Sequence, residues 1–196
     1  MEEKKYHHGD LKNALIEAGL EILEENGLPG LSLRAIAARV GVSHTAPKNH
    51  FGSLRGLMTA IGTEGFRRHA AFMREGLTEA ATRADRLDAA MSGYVRFAEA
   101  HPHLFELMFS PLYCDLRDET LGAAARDSYA VLSEISEGLD WPGAEGPDRQ
   151  RRTEMMLWSL VHGYAQLAKA GQFLGGEDGR PAHPVLSVMP RFGYGG

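Results

Sequence analysis

Apolar residues recur along this chain every three or four positions, the interval that puts them on one side of a helix, and no strand-like alternation of any length interrupts them. Leu11, Leu15, Ala18 and Ile22 form the first stripe between Asp10 and Asn26, broadened by Ile16 and Leu23 and ended by Gly27, Pro29 and Gly30. Leu33, Ile36, Ala37 and Val40 form a second, and Ser43 to Phe51 reads as a short third helix. Ser53 then opens a long helix with Leu54, Leu57, Met58, Ile61, Gly65, Phe72 and Met73 on its buried side. Further stripes run from Arg83 to His101 (Leu87, Met91, Tyr94, Val95, Ala98) and from Pro102 to Ser110. Two more run from Leu116 to Gly138 (Leu121, Ala125, Ser128, Leu132, Ile135) and from a cap at Asp148 to Ala170, separated by a loop rich in glycine and proline. The expected fold is all-α.

The second and third predicted helices belong together. Ser32 stands where an N-cap belongs, and Gly41 follows the stripe at the position where only glycine turns left-handed without a steric cost. Val42 can plug the corner and Ser43 can cap the next helix. A helix, a glycine turn and a capped second helix within about 20 residues is the helix-turn-helix pattern, whose second helix enters the DNA major groove. Charge agrees: no Asp or Glu occurs between Glu25 and Glu64, while Arg34, Arg39, Lys48 and Arg55 fall inside that gap. Such hairpins also occur in proteins that bind no nucleic acid, so the local pattern alone leaves both readings open.

Around the hairpin, YHHGDLKNALIEAGLEILEENG supplies a preceding helix, the hairpin starts Leu-Ser-Leu-Arg, and Ala37, Gly41, Val42 and Ser43 make an Ala-x-x-x-Gly-Val-Ser corner. The short helix ends in His50-Phe51. This set resembles the N-terminal domain of the tetracycline-repressor-like (TetR) regulators. The resemblance implies a three-helix helix-turn-helix DNA-binding domain over residues 1–55 and a helical ligand-binding and dimerisation domain over residues 56–196. It implies that Arg34, Ser43, His44, Thr45, Lys48, Asn49 and His50 face DNA, with Ser43 and Lys48 mainly on phosphates and His44, Thr45 and Asn49 nearest base edges. In this family a polar N-terminal arm, here Lys4, Lys5, Tyr6, His7 and His8, can lie along DNA. Two positions depart from the pattern: Lys48 stands where a phosphate-touching tyrosine is usual, and Leu54 where a phosphate-binding lysine often opens the next helix.

Farther on, AEAHPHLFELMF and the Trp-x-x-x-His-Gly run Trp158, His162, Gly163 resemble one branch of the same family. The helix that carries the Trp-x-x-x-His-Gly run is apolar nearly all round, with Met156, Leu160, Gly163, Tyr164 and Leu167 on one side and Trp158, Val161, His162 and Ala165 around the other. Such a helix is buried on several sides, within its own domain or against a partner. The resemblance implies the partner: the last two helices pair with their copies across a two-fold axis, with Met156, Leu160, Gly163, Tyr164 and Leu167 in the dimer interface. Two recognition helices about 34–36 Å apart then match a palindromic operator on double-stranded DNA. The resemblance also implies an inducer cavity for a small apolar or aromatic molecule. Its expected lining is Met91, Tyr94, Phe105, Met108, Phe109, Tyr129, Trp158 and His162, with His162 or Tyr94 as polar anchor. The same residue types at helical spacing are also ordinary core.

Composition narrows the picture. A chain of 196 residues has room for one or two small domains, and its net charge of −5 leaves attraction to DNA to the local acid-free window. Cys114 is the only cysteine, which excludes an intrachain disulfide and reads as a buried structural thiol. Met1 to Asp10 lacks the apolar core of a cleavable signal and no apolar run is long enough to span a bilayer, so the expected location is cytoplasmic. No Cys cluster, His-Glu-x-x-His spacing, nucleophile elbow or phosphate loop is present, and no catalysis, metal or cofactor is expected. The reading is a homodimeric regulator, a repressor released by a small molecule. The alternative, prompted by Lys48 and Leu54, is a helical small-molecule-binding protein of the same fold with weak or lost DNA binding.

Overall fold

The computed structural model describes residues 8–77, 82–142, 145–173 and 184–194, so positions 4–7 of the N-terminal arm lie outside the described residues. Eight helices dominate: α1 (His8–Gly30), α2 (Leu33–Val40), α3 (Ala46–Phe51), α4 (Leu54–Arg74), α5 (Arg83–Ala100), α6 (Pro102–Met108), α7 (Glu119–Ser136) and α8 (Arg149–Lys169). The only strands among the described residues are β1 (Leu139–Asp140) and β2 (Gly193–Tyr194), paired antiparallel with Leu139 opposite Tyr194. The fold is all-α, as the periodicity predicts. The expected end of the first helix near Asn26 also holds, because Gly27 adopts φ 66°, ψ −171° and breaks α1 before a last turn carries the chain to Gly30. Two caps differ from expectation. Asp148 precedes α8 without a side-chain cap bond, whereas α5 opens with an unforeseen capping box in which Thr82 and Asp85 bond each other's backbone N–H.

The chain divides into two compact units, each discontinuous in sequence. The first combines α1 to α3, α4 as far as Phe66, and the segment His103–Ala124. Leu15, Leu23, Ile36, Leu57 and Ile61 are fully buried in it, together with Phe105, Leu107 and Met108 of α6. The loop after α6 is tied to the start of α4: Arg55 donates to the carbonyls of Pro111 (3.2 Å) and Cys114 (3.0 Å), and the Asp115 N–H donates to Thr59 Oγ1 (2.9 Å). Cys114 is fully buried, its thiol facing the carbonyls of Leu107 and Met58, and burial pushes its pKa up to about 12. A thiol so protonated is inert, in keeping with a structural role.

The second unit holds α4 from Arg67, all of α5, and the chain from Ala125 onward. Leu87, Met91, Tyr94, Phe97, Leu157 and Val161 form its core, and α5 crosses the end of α4 at Gly93. A Cβ on Gly93 would sit 2.2 Å from the Phe72 carbonyl oxygen and 2.9 Å from Met73 Cα. The obstacle is backbone and cannot rotate away, so Gly93→Ala is expected to destabilise the protein toward the upper end of the overpacking range, about 1–3 kcal/mol. Chemical denaturation measures this; a loss below about 0.5 kcal/mol would mean that the two helices slide apart freely.

Candidate DNA interface and effector site

The first unit builds the hairpin from local bonds. Ser32 Oγ accepts the Ala35 N–H (3.1 Å), capping α2. Gly41 ends α2 at φ 76°, ψ 32°, and the Val42 N–H returns to the Ala37 carbonyl (3.0 Å). The expected cap at Ser43 is corrected: α3 starts three residues later, at Ala46, and the Ser43 hydroxyl pairs with that of Thr45 (3.0 Å). Pro47 fits this start, because it falls in the first turn of α3, where its missing N–H costs no helical bond. Phe51 anchors the end of α3, with Lys12 Nζ of α1 lying 5.9 Å from its ring centroid.

Arg34, Ser43, His44, Thr45, Lys48 and Asn49 are exposed, and His50 is half-buried beside Phe51. The four cations of the acid-free window are put to different uses. Arg39 pairs with Glu21 (3.2 Å) and Glu25 (2.5 Å) of α1, which holds the Glu25 carboxyl below its usual range. Arg55 is spent on the loop carbonyls. Arg34 and Lys48 have no ion pair among the described residues.

The residues expected to line a cavity fall into both units. Phe105 and Met108 are fully buried in the first, where Phe109 is half-buried and packs edge-on against Phe66 and Phe105. Met91, Tyr94, Tyr129, Trp158 and His162 belong to the second. There the Tyr94 hydroxyl bonds His162 Nδ1 (2.8 Å), and the one-turn spacing of Trp158 and His162 on α8 sets their two rings edge to face, with centroids 6.5 Å apart. Burial lowers the pKa of His162 and raises that of Tyr94, which keeps both neutral. His69 of α4, absent from the expected set, completes this group. It is 2% exposed, bonds Ser128 Oγ through Nδ1 (2.7 Å), stands edge-on to Tyr94, and is lowered by burial, then by His162, to about 3. The recess formed by Leu28, Pro29, His103, Glu106 and Tyr113 in the first unit, about 440 Å³, uses none of the expected lining.

Of the expected dimer residues, Leu160 and Leu167 are exposed and Met156 and Gly163 half-buried, while Tyr164 turns inward at 7% and packs on Phe173. Leu157, Val161 and Ala165 supply the inward face of α8 instead.

A helix-turn-helix whose exposed residues lie in a window free of carboxylates has the features of a DNA-binding protein. Residues 15–61 match the family model described as bacterial regulatory proteins, tetR family, and residues 87–186 match the tetracyclin repressor-like C-terminal domain. The chain belongs to the TetR family and is a DNA-binding transcriptional regulator. Among solved structures, a protein of unknown function from Rhodococcus sp. RHA1 shares 32% identity, with 93% of this chain and 91% of that one covered and a TM-score of 0.74. A possible TetR family regulator from Streptomyces coelicolor A3(2) shares 17% identity over 85% and 76% of the two chains (TM-score 0.59). The TetR-like regulator LfrR from Mycobacterium smegmatis, solved with proflavine, shares 18% over 82% and 85% (TM-score 0.56). No curated protein matches the sequence. Among the described residues no helix is long and apolar enough to cross a membrane.

Proposed function

We propose that this regulator is a cytoplasmic homodimeric repressor that binds a palindromic operator and is released by a small molecule. The observation that carries the reading is the exposed face of α3 and its approach: Ser43, His44, Thr45, Lys48 and Asn49 open to solvent within a window free of carboxylates. Lys48 and Ser43 take phosphates, with Arg34 beside them, and His44, Thr45 and Asn49 meet base edges. Selection of bound fragments from genomic DNA, followed by titration at several salt concentrations, tests it. Specific binding with a steep salt slope is the expected result, and binding indifferent to sequence would refute the operator.

The dimer is supported by the exposed Leu160 and Leu167 with half-buried Met156 and Gly163 between and before them, one apolar stripe along α8. Replacing Leu160 and Leu167 together by Glu is expected to leave a folded monomer in sedimentation velocity and to weaken operator binding at least tenfold, since half-site coupling is lost. A double variant that still sediments as a dimer places the interface elsewhere. Trp158, His162 and Gly163 are assigned to the Trp-x-x-x-His-Gly branch, a reading supported by the His162 bond to Tyr94 and the contact of the Trp158 and His162 rings.

A further inference from the structure

A polar seam joins α7 to α8. The Glu154 carboxylate, in a residue only 6% exposed, accepts hydrogen bonds from the hydroxyls of Tyr129 (2.8 Å) and Ser133 (2.6 Å) and from Gln150 Nε2 (2.9 Å). Every one of these donors is neutral. Among the described residues no cationic side chain lies within ion-pair distance of Glu154. Burial pushes its carboxyl up, but the bonds from Ser133, Gln150 and Tyr129, joined by the more distant charge of Arg151, outweigh it and hold the group below the usual range. The seam therefore keeps a buried negative charge that no described cation contacts and that Arg151 offsets only from beyond ion-pair distance, an arrangement that gains from a closer counter-charge.

Two rings stand beside that charge. Tyr129, which bonds Glu154 directly, is half-buried and meets Trp158 at right angles, with centroids 5.9 Å apart and planes at 82°. Trp158 lies one turn beyond Glu154 on α8 and is left 41% exposed, next to the turn that exposes Met155. Perpendicular aromatic faces with a carboxylate behind them attract a positive charge carried on a soft, weakly hydrated group, because ring quadrupole and anion act in the same direction. A neutral ligand would gain nothing from the anion, and an anionic one would be repelled.

We propose that Tyr129, Glu154 and Trp158 form a recognition corner for an organic cation, a quaternary or protonated amine bearing an aromatic group. This rests on the ligand-responsive reading above and gives its effector a chemical class. At about 100° per residue Trp158 lies on the opposite side of α8 from Leu160 and Leu167, so a dimer built on the leucine stripe leaves the corner open.

Equilibrium dialysis of the full-length dimer against phenyltrimethylammonium and tert-butylbenzene, its uncharged isostere, isolates the charge. The cation is expected to bind at least tenfold more tightly than the isostere. Glu154→Gln, which keeps the size and hydrogen-bonding reach of the side chain, should remove that preference while leaving isostere binding unchanged. Trp158→Leu, which leaves the seam intact, should weaken the cation at least tenfold. Equal binding of the two probes to the natural protein, or an equal loss of both in Glu154→Gln, overturns the proposal and returns the seam to a purely structural role. Should Glu154→Gln fail to fold, retention of full cation binding by Trp158→Leu overturns it alone. Operator affinity under saturating cation is a separate readout. Unchanged affinity despite tight cation binding counts against the ligand-responsive regulator and leaves the corner standing; operator binding by a protein blind to the cation counts against the corner only.

Discussion

Lys48→Ala is expected to lower operator affinity about 10- to 100-fold in the dimer and to reduce the slope of log affinity against log salt by about two. The slope matters more than the affinity. Each phosphate neutralised releases condensed counterions, contributing roughly 0.9 to that slope, and a symmetric dimer loses the contact twice. Lys48 carries this weight because the other cations near it are committed: Arg39 to Glu21 and Glu25, Arg55 to the carbonyls of Pro111 and Cys114. Arg34→Ala should behave like Lys48→Ala, whereas Arg39→Ala should alter the packing of α2 on α1 and leave the slope nearly unchanged. A Lys48→Ala protein with the natural salt slope would show that this side chain never reaches a phosphate. Replacing Asn49 or His44 should act differently, weakening binding at particular base pairs and sparing the salt dependence.

The second unit should lose stability steeply in mild acid. His69 is held at about 3 in the folded protein by burial, then by the nearby His162, whereas an unfolded histidine titrates near 6.5. Below about pH 6.5 the unfolded chain takes up the proton first, so this contribution to stability is complete above that value and declines as the pH falls toward 3. Between neutral pH and about pH 4.5 the loss amounts to about 3 kcal/mol, and His162, lowered by its own burial, adds to it in the same direction. Denaturation midpoints across this range measure the effect. His69→Gln retains a polar partner for Ser128 but cannot titrate, and its stability should fall more gently with pH; a slope as steep as the natural one would place the acid sensitivity elsewhere.

Much of the fold was legible because its signals are local. Ser32 caps α2 three residues on, Gly41 turns φ positive directly after Val40, and Ser53 caps α4 through the Gly56 N–H (3.0 Å). Each bond closes within one helical turn, so residue type and spacing suffice to foresee it. Ser43 misled for a related reason: it is a good cap in a good place, but the helix starts only at Ala46, and the hydroxyl turns to Thr45. The seam on α7 and α8 left a fainter trace in the sequence. Tyr129, Ser133 and Ser136 share one face of α7, as Gln150, Glu154 and Trp158 share one of α8, yet nothing in either run says that the two faces meet.

By itself, then, the sequence determined the helices and the glycine corner, since both follow from periodicity and from bonds between near neighbours, and its motifs carried the resemblance to one family. How each polar side chain is used was decided only in three dimensions. Arg39 reaches back 14 residues to Glu25, and Arg55 reaches forward 59 to the Cys114 carbonyl, so charge counted along the chain overstates what faces DNA. Tyr94 meets His162 across 68 residues. Burial sets the protonation of His69 and Tyr94, and burial belongs to the packed whole, where distant segments exclude the water that near neighbours alone would leave in place.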